Sequence, residues 1–469
     1  MPVGHLKRHL ARQKVHKELS YLPLRSLISY DKIKPGKRIF GKLFMADTLL
    51  LGQTLCFTGD PFKAPWPDVT RHRRDGAVLL RGGKIGEVGA RAALCQAHPQ
   101  AKIVDYDADL IVPGFVDPHV HYPQTAIIAS WGKRLIDWLN SYTFPEEIRL
   151  ADPDYATKIA SRYLDIALSH GTTTMASFCT TAPVSVTAYF KAAEARRMRV
   201  VGGKTCMDRN APTGLIDTAQ SAYDDSKELI DTWHGRGRVS YAITPRFSPT
   251  STPEQLAALG GLWQERPDCL MQTHLSEQTE EIAWVRSLFP EARDYLDTYA
   301  QFGLLGARGL YGHAIHLEPR EIDQLAEIGA SVVHCPTSNT FIGSGLFDLM
   351  GLTHSRVGLG LATDIGGGSN FSMLRTMAAA YEVAQLRGQA LHPAQLMWLA
   401  SEGSAHALHL SGTIGHLGAG AEADLCILNL SSTAAIAQRH DHANDFWESL
   451  FPTVMMGDDR AIRQVWVAG

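Results

Sequence analysis

The stretch "LIVPGFVDPHVH", residues 110–121, begins as a continuous apolar run and ends in two histidines two positions apart. Alternate residues of a strand point to the same face, so His119 and His121 leave this run on one side. Whether they are ordinary histidines or half of a metal site is decided by what recurs downstream. The run itself covers 110–116, and seven more strand-like runs follow at 172–178, 199–205, 239–244, 269–273, 309–311, 331–334 and 357–362. Helical patterns lie between or after them, for instance at 154–168, 184–197, 253–264, 319–328 and 373–386. Eight strands alternating with helices predict an α/β chain folded as a (β/α)8 barrel, whose reactive groups sit at strand C-terminal ends. An open doubly wound sheet is the alternative pattern.

The barrel makes a demand that the sequence can be checked against: metal-capable side chains must lie just past the apolar runs. His119 and His121 follow the first, His274 follows "MQT" of the fifth, His313 follows "LYG" of the sixth, and Asp364 follows "LAT" of the eighth. Imidazoles and a carboxylate suit Zn2+, or Fe2+ where the cell supplies it. Any one of these histidines alone reads as structural; their recurrence at strand ends predicts a mononuclear metal site. Glu277, three residues after His274, then stands where a general acid/base serves a metal-bound water. Its competing reading is a helix N-terminal cap after Ser276.

Similar-looking motifs fall away on inspection. "HLE" at 316–318 lacks the P-C-x-x-C half of a zinc deaminase signature, and "GGKT" at 202–205 has Met198 where a phosphate loop needs its first glycine. A two-metal hydrolase with a bridging lysine after strand four does not fit either, because that strand ends Thr244-Pro245-Arg246.

Both ends of the chain read as β-rich. "AVLLR" and "KIGEV" flank Gly82-Gly83 as a hairpin, and strand patterns return at 423–429 and 462–467. The organisation expected is a basic extension over 1–44, a small β-sandwich from 45–112 and 413–469, and the catalytic barrel over 113–412. Residues 1–44 hold eleven Lys/Arg against two acids, and Met45 looks like a natural start; the remaining chain is acidic, since the whole carries a net charge of -3. That acidic body argues against nucleic acid as a partner. The absence of a long apolar run argues against a membrane. Seven scattered cysteines with no C-x-x-C pair suggest a reducing cytoplasm.

Taken together, "PGFVDPHVH", "GTTT" at 171–174, "THLSE" at 273–277, "GHA" at 312–314, "HCPTSN" at 334–339 and "ATD" before Gly366 resemble the amidohydrolase superfamily, in its deaminase and chlorohydrolase branch. Within that branch "HYPQ" at 121–124, "DWLNSYTFPEE" at 137–147, "PRFSPT" at 245–250 and "FIGSGLF" at 341–347 are similar to the guanine deaminases. One departure is Ala362, where relatives often carry glycine. The resemblance spans 46–469. It implies one zinc per subunit on His119, His121, His274 and Asp364, with Glu277 as proton shuttle and His313 and Asp364 assisting the attacking water. It places guanine against His121, Tyr122, Pro123, Gln124, Arg246, Phe247, His274, Glu277 and Asp364, and it implies a homodimer.

The substrate has its own physical argument. Guanine offers O6 and N7 side by side, to which an arginine fork donates two parallel hydrogen bonds. Arg246 can supply that fork or sit in a rim salt bridge, Gln124 can reach an amide edge, and Trp131 and Phe247 can stack on the base or fill the core. The rival readings are an s-triazine or other heterocycle hydrolase on the same machinery, and an inactive scaffolding relative.

Overall fold

The computed structural model describes residues 47–132 and 134–469; the basic extension and the proposed start at Met45 lie outside them. Eight parallel strands run in sequence around a barrel: Phe115–Val120, Thr172–Phe178, Arg199–Gly203, Val239–Pro245, Leu270–Leu275, Gly309–His313, Ser331–His334 and Gly358–Leu361. One small or branched apolar side chain from each strand or its end (Val116, Ala176, Val201, Ala242, Leu270, Leu310, Val333 and Ala362) packs in a common cluster. This is the filled interior expected of such a barrel. Two residues further along strands four and five, Thr244 and Gln272 share a hydrogen bond of 3.0 Å, and two further still stand Arg246 and His274. The period-2 alternation thus lifts the side chains from an apolar layer, through a polar one, to the mouth.

Strand one meets strand eight without a regular ladder. The seam is held by the Asp364 N–H donating to the His119 carbonyl at 3.1 Å, by the His121 N–H donating to the Ile365 carbonyl, and by Asp117. The Asp117 carboxylate accepts from the Thr363 N–H at 3.1 Å and from the Thr363 hydroxyl at 2.5 Å. Burial pushes the Asp117 carboxyl up to about 7 against those hydrogen bonds.

A separate six-stranded sheet takes Thr48–Phe57, Thr70–Arg81, Lys84–Ala90 and Lys102–Pro113 from the first part of the chain and Leu425–Leu428 and Ile462–Trp466 from its end. Gly82 and Gly83 both adopt positive φ (58° and 81°), the conformation that a tight two-residue hairpin requires. The segment after Leu428 also folds two helices, Ala434–Asp441 and Phe446–Met456, N-capped by Thr433 and Asp445.

The apolar run at 110–116 belongs to both sheets. Residues 110–113 end a strand of the terminal sheet, and the first barrel strand begins at Phe115 rather than Leu110. Both sides of the junction are buried, so hydropathy gives no boundary there. The hinge is Gly114, where a Cβ would meet Thr173 Oγ1 at 2.2 Å.

At the N-terminal ends of strands three and four, Arg199 and Arg238 clamp the barrel to the terminal sheet through Glu422, at 2.6 and 2.5 Å, and through Asp424. Burial raises the Glu422 carboxyl, but the two guanidinium groups outweigh it and bring it to about 2. Removing one member of a buried pair leaves the other charge uncompensated, so Glu422→Gln is expected to destabilise the fold by about 3 kcal/mol, read as a lower denaturant midpoint. Because the folded value is depressed below 4.5, the contribution is present above that pH and fades as pH falls towards 2. An unchanged midpoint at neutral pH would show that the clamp contributes nothing.

Candidate active site

Four side chains converge on one point at the barrel mouth. His121 Nε2 and His274 Nε2 are 3.1 Å apart, and Asp364 Oδ1 lies 3.5 Å from both His119 Nε2 and His121 Nε2. Nitrogen ligands at about 2.0–2.1 Å from a tetrahedral ion stand about 3.3 Å from each other, so this spacing fits a bound cation. The hydrogen bonding fits as well. His274 Nδ1 donates to the Arg246 carbonyl at 2.7 Å, which leaves Nε2 as a lone pair facing its neighbours. Both ring nitrogens of His119 and Nδ1 of His121 are buried without a protein partner. Burial drives all three imidazoles well below their usual range, so they are neutral and able to ligate. It also pushes Asp364 up to about 7, an unfavourable state that a divalent cation relieves.

The backbone is shaped to the purpose. Ser276, His313 and Asp364, at the ends of strands five, six and eight, are non-glycine residues with positive φ of 48°, 67° and 52°. Such strain is concentrated where side chains must be aimed off the strand axis. Gly312 is required by the histidine cluster itself, since a Cβ there would meet the His119 ring at 2.5 Å.

Glu277 stands beside this cluster. Its Oε2 is 3.5 Å from His313 Nε2, while its Oε1 accepts from the Ser344 hydroxyl at 2.9 Å. Burial pushes Glu277 up to about 7, with Ser344 pulling in the other direction. The capping alternative is taken by a different residue. The helix Thr279–Leu288 is capped at Gln278, and Glu281 closes the capping box while its Oε2 also accepts the Glu277 N–H. His313 Nδ1 pairs with Asn339 Oδ1 at 2.9 Å, which turns Nε2 towards Glu277 and towards Asp364 Oδ2 at 3.8 Å.

A cavity of about 420 Å3, part of it open to solvent, lies over these groups. His121, Gln124, Arg246, Phe247, His274, Glu277, His313 and Asp364 all line it. His119 is fully buried behind them. Tyr122 and Pro123 are buried in the helical turn Tyr122–Ile127 and do not line the cavity; the Tyr122 hydroxyl donates instead to the Ser185 carbonyl at 2.7 Å. Trp131 does not reach the cavity and is 78% exposed, whereas Trp138, one helical segment later, lines it.

Arg246 is in a salt bridge, though a buried one at the cavity wall. Its Nη1 donates to Glu147 Oε2 at 2.7 Å, and Glu147 Oε1 accepts from Gln124 Nε2 at 2.8 Å. Sequence reasoning gave no role to Glu147, Asn339, Ser344 or Trp138. The signal for Glu147 was present in "FPEE", where two adjacent carboxylates on a helical turn beside apolar residues both end up buried.

The family model described as "Amidohydrolase family" matches residues 110–469, and a bacterial imidazolonepropionase-like composite domain matches 76–101. A guanine deaminase of Escherichia coli K12 is 44% identical over 400 residues, covering 85% of this chain and 91% of that protein. A solved guanine deaminase from Bradyrhizobium japonicum has a TM-score of 0.88 at 35% identity, covering 91% of this chain and 98% of its own. Another from C. acetobutylicum, solved with guanine in its active site, has a TM-score of 0.82 at 27% identity, covering 90% and 99%.

Protein purified without chelator is expected to carry about one equivalent of divalent metal per chain, and His274→Ala to lose most of it. Full metal content in that variant, measured by elemental analysis, would place the metal elsewhere.

Proposed function

The chain belongs to the amidohydrolase family, and we propose that it catalyses the hydrolytic deamination of guanine to xanthine and ammonia. The observation that carries this reading is the meeting, around one cavity, of the His119/His121/His274 cluster, Asp364 at 3.5 Å from His119 and His121, and Glu277 with the Arg246–Gln124 wall. We take the metal to be zinc. When bound it supplies Lewis acidity and lowers the pKa of water towards about 7.

The remaining work belongs to the protein. Arg246 and Gln124 donate to the O6/N7 edge and fix the ring, with Phe247 and Trp138 covering it. Water oxygen bonds to C2 as its proton passes to Glu277, oriented by Asp364 and His313. Glu277 delivers that proton to N3, and the C2 centre becomes tetrahedral. Ser344 supports this role because it occupies Oε1 and leaves Oε2 facing the cavity. A value near 7 suits a carboxyl group that must both take and give a proton at neutral pH. The proton of the new C2 hydroxyl then passes by way of Asp364 to the exocyclic nitrogen, the C2–N bond breaks as the C2=O bond forms, and ammonia leaves. Guanine and water are consumed, and xanthine and ammonia are formed.

The assembly we read is a homodimer, which light scattering reports as twice the chain mass. The location we read is the cytoplasm, which the seven unpaired cysteines support.

An ammonia-release screen of metal-loaded protein over guanine, adenine, cytosine and s-triazines tests the substrate. Turnover of guanine above the others is expected; turnover of another ring without guanine would overturn the reading. Glu277→Gln should keep its metal and lose activity by about a thousandfold or more. Arg246→Lys should raise KM for guanine more than it lowers kcat, because the fork is lost while the charge remains.

A further inference from the structure

The cavity wall that would read the base is itself held by a residue that need not touch the substrate. Glu147, on the short helix Phe144–Ile148, is 1% exposed, as is Gln124, and Arg246 is 3% exposed. One carboxylate oxygen takes Arg246 Nη1 and the other takes Gln124 Nε2. Gln124 is pinned from its other end too, since its Oε1 accepts the Gly366 N–H at 3.1 Å. Segments following strands one, four and eight are thereby tied to a single carboxylate.

This arrangement fixes chemistry as well as position. If the Gln124 amide were flipped, its oxygen would face the Glu147 carboxylate and its NH2 would face the Gly366 N–H, so both contacts would become repulsive. Only one orientation is allowed, and in it Gln124 keeps one N–H unspent by the network. Arg246 likewise spends one Nη1 hydrogen on Glu147, and the rest of its guanidinium makes no other side-chain hydrogen bond among the described residues. The Phe144 ring, 5.4 Å from the Arg246 guanidinium carbon, limits where the fork can move. The donors left over belong to a wall suited to an acceptor-rich edge. A 6-oxo purine presents that edge at O6 and N7, whereas a 6-amino purine would set its own N–H donors against the wall.

We propose that Glu147 is the positioning residue that sets the donor polarity of the recognition wall and so selects 6-oxo over 6-amino purines. This rests on the guanine reading above. The neighbouring Glu146 has other duties, accepting from the Tyr155 hydroxyl and pairing with Arg149 at 2.8 Å. The two acids of "FPEE" therefore divide, one bracing the loop and one bracing the wall.

The test is steady-state kinetics on guanine, with metal content and thermal melting, for the wild type, Glu147→Gln, and Glu147→Gln combined with Gln124→Glu. In the single variant the new amide cannot accept from both partners. KM is expected to rise about 100-fold, the scale of a misplacement near 1 Å, with kcat falling less than about tenfold and metal retained. The double variant restores every hydrogen bond with the direction between positions 147 and 124 reversed. The new amide at 147 accepts from Arg246 through its oxygen and donates through its nitrogen to the new carboxylate at 124, which still accepts the Gly366 N–H. This variant is expected to melt like the wild type yet keep the raised KM, because position 124 now offers the ring only acceptors. A single variant within about twofold of the wild-type KM would overturn the proposal, as would a double variant that recovers KM along with its melting temperature. If Glu147→Gln fails to fold, the double variant alone decides by the same two readings. A metal-loaded wild type that does not turn over guanine would instead remove the substrate reading, and this inference with it.

Discussion

The structure depends on the seam between the first and eighth barrel strands. Those strands do not pair by a regular ladder; the contact is made by the His119 carbonyl, the His121 N–H and the Asp117 carboxylate against residues 363–365. The same short segments carry three of the four candidate metal ligands. Closing the barrel and assembling the site therefore use the same residues. Asp117 bridges the two because it fixes Thr363, the residue before Asp364. Its burial is unfavourable in isolation, and two hydrogen bonds from Thr363 offset part of that cost.

From that seam outward the site is a set of buried polar groups, several of them oriented by a hydrogen-bond partner. His274 is oriented by a backbone carbonyl, His313 by Asn339, Glu277 by Ser344, and Arg246 and Gln124 by Glu147. Several buried polar atoms lack a protein partner across the chain, and one of them, His119 Nε2, lies 3.5 Å from Asp364 Oδ1, where a cation would sit. Buried polar groups are normally satisfied, and at His119 Nε2 a bound cation would supply the missing partner. The loop that carries Ser344 is itself fastened by Gln278, whose amide donates to the Ile342 carbonyl at 3.1 Å and to Ser344 Oγ at 3.2 Å.

Much of this was legible in the sequence because it rests on local rules. Alternating apolar runs gave the strands, and the residues just past them gave His119, His121, His274, His313, Glu277 and Asp364. Helix limits such as Pro319–Ile328 and Met373–Leu386 followed from capping and periodicity. What the sequence hid was contact between distant segments. Glu147 and Arg246 are 99 positions apart, and no spacing rule connects them. The domain division after residue 112 falls close to Gly114, yet the strand run of 110–116 crosses the junction, because both flanking segments are buried and hydropathy does not change there. Trp131 and Trp138 are equally good covers for a base on composition, and only the folded structure shows that Trp138 lines the cavity while Trp131 is exposed.

One arrangement of protein and substrate is central: a purine whose O6/N7 edge faces Arg246 and whose C2 faces Glu277, above a metal on His119, His121, His274 and Asp364. A crystal structure of the metal-loaded Glu277→Gln variant with guanine measures this directly. The prediction is a ring oxygen or nitrogen acceptor within about 3 Å of the Arg246 guanidinium, with C2 turned towards the metal. Guanine bound with its 2-amino group against Arg246, or a metal placed away from these four ligands, would contradict it.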